Sequence, residues 1–166
     1  MTGAISLFGA TLVVGCAIFL SRAYGAFAER RRAETEEFYL FILHIKGEVA
    51  RFLSKPERIF QSFEAQSLDS VGFISVENLV GDAPLSSAYG AVRDKLSVSS
   101  GADKILYEFF SGFGRDYRDG EIKRCDAYAE ELSRLWAREE GELVKSLKVT
   151  RAVLAAAALG IVILLI

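Results

Sequence analysis

The chain has 166 residues, with 20 Lys and Arg against 22 Asp and Glu and a formal net charge of -2. That balance excludes a nucleic-acid binder built on a basic face. Two cysteines far apart, Cys16 and Cys125, exclude a disulfide framework and a CxxC-type metal site. The charge is also confined, since no Lys, Arg, Asp or Glu precedes Arg22 or follows Arg151. A water-soluble surface spreads charge along its whole length, so this distribution predicts apolar ends around one charged domain.

Residues 4–20 (AISLFGATLVVGCAIFL) form the first expected element, an apolar helix at the lower length limit for crossing a hydrocarbon core of about 30 Å. A buried helix of a soluble fold is the alternative. Two processing signals compete here. Ala26-Phe27-Ala28 has the small residues of a signal-peptidase site, and Val13-Val14-Gly15-Cys16 resembles a bacterial lipobox that would make Cys16 a lipidated N-terminus. No basic residue precedes the run, arginines flank Ala26, and Ala17-Ile18-Phe19-Leu20 stays apolar beyond Cys16. An uncleaved anchor fits better.

Helix is expected to continue through Glu29 to about Leu53, with Phe38, Phe41, Ile42, Ile45 and Val49 as its apolar stripe. Glu34, Glu36 and Glu37 lie among arginines and read as a solvated face; His44 reads as a packed or surface residue. Ser54-Lys55-Pro56 starts a second helix, Pro fitting a first turn where its missing N–H costs nothing. Ile59, Phe60 and Phe63 supply its buried face. Over residues 66–80, Ser70, Gly72 and Ser75 weaken any helix. Asp82-Ala83-Pro84 restarts one, with Asp as N-cap, and Leu85, Tyr89, Val92 and Leu96 carry it to about Val98. Ser99-Ser100-Gly101 breaks it. A helix over 102–113 follows, with Ile105, Leu106, Phe109 and Phe110 apolar and Gly112 and Gly114 ending it.

The last element is the longest. From about Asp119, apolar residues Ile122, Cys125, Ala129, Leu132, Trp136, Leu143 and Leu147 recur at steps near three and four, without a proline, into the apolar residues 152–166. Those fifteen residues reach about 22 Å as helix. Snorkelling of Lys148 and Arg151 and a thinned bilayer would cover the mismatch. The prediction is an all-α chain: a cytoplasmic antiparallel helix bundle over 22–151, flanked by N- and C-terminal transmembrane helices at 4–20 and 152–166. The flanking cations Arg22, Arg30, Arg31, Arg32, Lys145, Lys148 and Arg151 all belong to the middle, which the positive-inside rule places in the cytoplasm. Thr11 with Gly15, and Ala152, Ala156 and Gly160, recur at spacing four and would let the anchors pack closely; incidental small residues facing lipid explain them equally.

No Ser-His-Asp set, HExxH or phosphate loop occurs, and Cys125 lies on an apolar seam. No catalytic residue, cofactor or metal is expected, and the protein is predicted to act by binding other proteins rather than as an enzyme. Arg134, Arg138 and Glu142 form the candidate partner face, although a solvated helix face also accounts for them. A membrane-anchored regulator or a lipoprotein with a helical domain is the alternative function.

At the long C-terminal helix the sequence resembles the stage III sporulation protein AB family of endospore-forming bacteria. The resemblance is carried by Phe110, Phe113-Gly114, the gap-free helix through Lys148 to Val162-Ile163-Leu164-Leu165-Ile166, Glu29-Arg30-Arg31-Arg32 after the first apolar run, and Pro56 at a helix start. It departs near Gly120–Glu121, where the family usually carries Gln, and at Leu154 and Ala158, where Gly is often found. The resemblance implies a membrane component of the assembly linking mother cell and forespore. It implies a cytoplasmic domain similar to the helical domains of type II secretion platform protein F. Its implied partners are the other membrane subunits, the lipid bilayer and a secretion-type ATPase, stage III sporulation protein AA. In that setting the chain would sit in the mother-cell membrane facing the forespore.

Overall fold

The computed structural model describes the main chain of residues 2–52, 56–75, 77 and 84–165, and side chains within 15–51, 57–75, 77, 84–142 and parts of 145–160. It is all-helical. The order is α1 (Thr2–Phe52), α2 (Pro56–Gln61), α3 (Gln66–Ser70), α4 (Pro84–Val92), a 3-10 turn (Arg93–Lys95), α5 (Ser100–Gly112) and α6 (Arg118–Leu165). No strand occurs among the described residues. Pro56 opens α2 and Pro84 opens α4, as an imino acid without an N–H should. The expected starts at Ser54-Lys55 and the Asp82 cap lie outside the described residues.

Two boundaries differ from expectation, for a shared reason. Helix α4 stops at Val92 rather than near Val98, and the chain turns extended by Leu96. Ser99 does not merely break helix. It is the N-cap of α5, its Oγ accepting the Ala102 N–H at 3.0 Å, so α5 begins at Ser100. A capping hydroxyl needs extended backbone at its own residue, which ends the preceding helical turn early.

The chain divides into two compact units. One is Arg30–Arg138; the other combines Met1–Glu29 with Glu139–Ile166, so α1 and α6 each contribute to both. The Arg30–Arg138 unit holds the core, to which α1 gives Phe38, Phe41, Ile42, Ile45 and Val49, the stripe that its spacing predicts. Ile59 and Phe60 of α2, Leu85, Tyr89 and Val92 of α4, and Ile105, Leu106, Phe109 and Phe110 of α5 join it, with Cys125, Ala129, Leu132 and Leu135 of α6. Phe38, Phe41, Phe73, Tyr89 and Phe110 form a connected ring cluster with centroids 5.0–6.3 Å apart, several of them edge-on. Such edge-on pairs set a ring's positive rim against a neighbour's negative face, about 0.5–1.5 kcal/mol beyond the area buried.

Cross-contacts give directions within this unit. Lys46 pairs with Asp126 and Arg118 reaches the Ala50 carbonyl, so α1 and α6 run antiparallel here. A Cβ on Gly101 would lie 3.2 Å from Leu135, and one on Gly112 would meet Arg124, so α5 and α6 are antiparallel as well.

The other unit is helical and outwardly apolar. Ile18, Phe19, Leu20, Tyr24, Phe27, Val149, Val153 and Leu159 are exposed, Phe19 to 71%. Among the described residues no helix is long and apolar enough to cross a membrane. The apolar runs 4–20 and 152–166 lie partly outside the residues whose side chains are described.

Candidate functional site

Three carboxylates organise the loops of the Arg30–Arg138 unit. Glu34, fully buried on α1, accepts from the Arg30 guanidinium at 2.8 Å and from the Ser97 N–H. Arg30 also donates to the Lys95 carbonyl at 3.2 Å. The 3-10 turn and the residues after it are thus fastened to α1 by two bonds to main-chain groups, from side chains that are themselves paired within α1. Glu37, one turn along α1, accepts the Ser67 and Leu68 N–H groups at 2.9 and 2.8 Å. These are first-turn donors of α3, whose own N-cap residue Ala65 offers no side-chain acceptor. A carboxylate from another helix therefore supplies the cap, and its charge suits the positive end of the helix.

The far end of α3 is finished locally. Gly72 sits at φ +83°, its N–H donating to the Asp69 carbonyl and the Phe73 N–H to the Leu68 carbonyl, with Leu68 and Phe73 both buried. That is a Schellman ending, which needs a left-handed residue. Ser70 and Gly72 weaken helix after α3, and Gly72 also terminates it in a defined geometry.

Glu121 is the third carboxylate, 4% exposed near the start of α6. It accepts the Gly114 and Asp116 N–H groups, each at 3.0 Å, while Gly114 adopts φ +85°. Arg124 holds Asp116 at 3.0 Å and lies 3.6 Å from Glu121. The loop between α5 and α6 is thereby fixed, yet Tyr117 at its end is 94% exposed. The reading of Glu34 and Glu37 as a solvated face is corrected here: both point inward to main-chain donors. Glu36, between them, is half-buried.

A second cluster joins α4 to α5. Asp103 accepts from Arg93 Nε and Nη2 at 2.7 and 2.6 Å and from the Tyr89 hydroxyl at 2.8 Å, and Arg93 stacks 4.8 Å from the Tyr107 ring. The Arg93 guanidinium, then the Tyr89 hydroxyl, hold the Asp103 carboxyl below its ordinary range, while burial chiefly drives the Tyr89 phenol upward. Both groups keep fixed charge states at neutral pH and act as struts. Cys125 is buried, and burial, then Glu121 and Asp126, push its thiol up to about 12. A protonated, enclosed thiol is no nucleophile. His44 Nε2 lies 3.2 Å from the Ile59 carbonyl and 3.0 Å from Ser62 Oγ, tying α1 to α2. Among the described residues no three His, Cys, Asp or Glu converge as a metal site would require.

The residues singled out by sequence fall as follows. Arg22, Arg32, Lys145 and Lys148 are exposed, and Arg31 is half-buried with its carbonyl accepting from Thr35. Arg30 is drawn into the Glu34 bond; the Arg151 side chain lies outside the described residues. Arg134 and Arg138, both exposed, line a recess of about 220 Å³ with Ile105, Glu131 and Leu135. Glu142 is exposed but belongs to the other unit. The Thr11 side chain lies outside the described residues. Gly15, Ala152, Ala156 and Gly160 are exposed, and a Cβ on Gly15 or Gly160 would meet nothing within 4 Å.

Over residues 6–166, nearly its entire length, the sequence matches the family described as stage III sporulation protein AB. The chain belongs to that family. Membership makes it a stage III sporulation protein, concerned with endospore formation. No curated protein and no solved structure matches the chain.

Proposed function

We propose that the chain is a non-enzymatic platform subunit of the channel-like assembly between mother cell and forespore. Its terminal helices anchor it in the mother-cell membrane, and its cytoplasmic Arg30–Arg138 unit couples a secretion-type ATPase to other membrane subunits. One observation carries the reading. Large apolar side chains are buried together in the Arg30–Arg138 unit, whereas Ile18, Phe19, Leu20, Tyr24, Phe27, Val149, Val153 and Leu159 of the other unit stand exposed. Apolar surface of that extent is costly against water, at about 25 cal/mol per Å², and is what a lipid environment accepts. The charge-free sequence at 4–20 and 152–166 supports the same reading. The charged groups with fixed roles are struts between loops and helices, which suits a scaffold.

The test is topology together with partner capture. Cys125 is buried and serves as a silent background, so the reporter is Lys123→Cys, at an exposed position, combined with Cys16→Ala. An impermeant thiol reagent should leave it unlabelled in intact sporulating cells and label it after permeabilisation. Full-length chain crosslinked in the same cells should carry the ATPase with it. Labelling in intact cells, or complete release of the chain by carbonate, would overturn the anchored cytoplasmic platform.

A further inference from the structure

We propose that the loop between α5 and α6, with Tyr117 at its end and Arg115 and Arg118 beside it, is a preformed docking point for an acidic surface of a protein partner. The clearest sign is the contrast between how firmly the loop is held and how little its tip does inside the chain. Glu121, a nearly buried carboxylate, takes two of the loop's N–H groups at 3.0 Å; Gly114 supplies the left-handed turn; Arg124 ties down Asp116. Arg118 reaches across to the Ala50 carbonyl at the end of α1. Four constraints therefore fix the loop, and the Tyr117 ring remains 94% exposed with no hydrogen bond or ring contact among the described residues.

A ring displayed on a rigid loop is a low-cost contact, because binding has little freedom left to remove. Tyrosine and arginine are also the residues that most often dominate interface energetics. The charge balance sets the partner's sign. Of the carboxylates here, Glu121 is buried against main-chain donors and Asp116, though exposed, is neutralised by Arg124, which leaves Asp119 as the exposed carboxylate without a paired cation among the described residues 113–121. Arg115 and Arg118 face solvent beside the tyrosine, with exposed Arg51 next to the Ala50 carbonyl that Arg118 contacts. The outward balance is positive, which favours an acidic partner face.

This inference rests on the platform reading, and its test separates the two. Full-length chain in detergent micelles is immobilised and titrated with purified secretion-type ATPase. Tyr117→Ala should weaken binding at least about tenfold, and Arg115→Glu should do the same while flattening the salt dependence. Tyr117→Phe should stay within about threefold of wild type, since the ring supplies most of the contact. Thermal midpoints should not change, because the ring packs against nothing. If wild type binds and both disruptive variants bind within about twofold of it, the docking point is wrong and the platform reading stands. If wild type does not bind the ATPase, the coupling reading fails and this inference fails with it. A lowered midpoint for Tyr117→Ala would overturn the docking role by giving the ring a structural one.

Discussion

Glu34 spends its carboxylate on a guanidinium four residues away and on a main-chain N–H sixty-three residues away. Replacing it with Ala leaves the Ser97 N–H without its acceptor, at a cost of about 1–3 kcal/mol. The urea midpoint of Glu34→Ala should fall accordingly, and Glu34→Gln should recover part of the loss because it keeps an acceptor oxygen. Asp103 makes a prediction about pH. Its carboxyl is held below the ordinary 3.8, first by Arg93 and next by Tyr89. A depressed folded-state value means that the stabilisation is complete above the unfolded value and is lost as pH falls through the folded one. The thermal-midpoint difference between wild type and Asp103→Asn should therefore hold at pH 6 and above and shrink as the medium is acidified below about 3.8. A difference that stayed constant down to strong acid would show that the ion pair is not what Asp103 contributes. Glu34 could not be read correctly from sequence: an acidic residue among arginines on a helix is usually solvated, and only its distant Ser97 donor reveals otherwise.

Helix α3 shows the same dependence one level up. Five residues are too few to sustain a helix, since nucleation alone outweighs so few hydrogen bonds. Its start is supplied by Glu37 from α1 and its end by Gly72 at φ +83°. Gly72→Ala should cost about 1 kcal/mol, the strain of placing a Cβ in left-handed backbone. Glu37→Ala should speed hydrogen exchange at the Ser67 and Leu68 amides while leaving α5 protected. Equal exchange at those amides in wild type and variant would mean that α3 holds its first turn unaided. The apolar stripes of α1, α4 and α5 were legible, because spacing of three and four requires no knowledge of the partner. The ends of elements were less so. Helix α4 stops where Ser99 becomes a cap and Glu34 takes the Ser97 N–H, and neither event is encoded within α4 itself.

For the whole molecule, the core lies in the Arg30–Arg138 unit and eight of the exposed large apolar residues lie in the other, so the two can be perturbed separately. Phe110 is buried among Phe38, Phe73, Tyr89 and Phe109, and Phe110→Ala should lower stability by about 3–5 kcal/mol. Membrane retention of that variant in carbonate-washed vesicles should match wild type, since Ile18, Phe19, Leu20, Val149, Val153 and Leu159 lie in the other unit. Loss of retention with loss of the core would refute a separate anchoring role. Sequence by itself determined the all-helical class, the faces that form the core and the clearance of charge from both ends, because periodicity and composition are properties of neighbouring residues. Tertiary structure alone decided which acidic residues turn inward, where α4 stops, how α3 exists and why the loop bearing Tyr117 stands fixed. For Glu34 and Glu37 the deciding bonds join groups thirty or more residues apart; at the loop, Glu121 lies close in sequence, but only folding brings its oxygen to the main-chain donors.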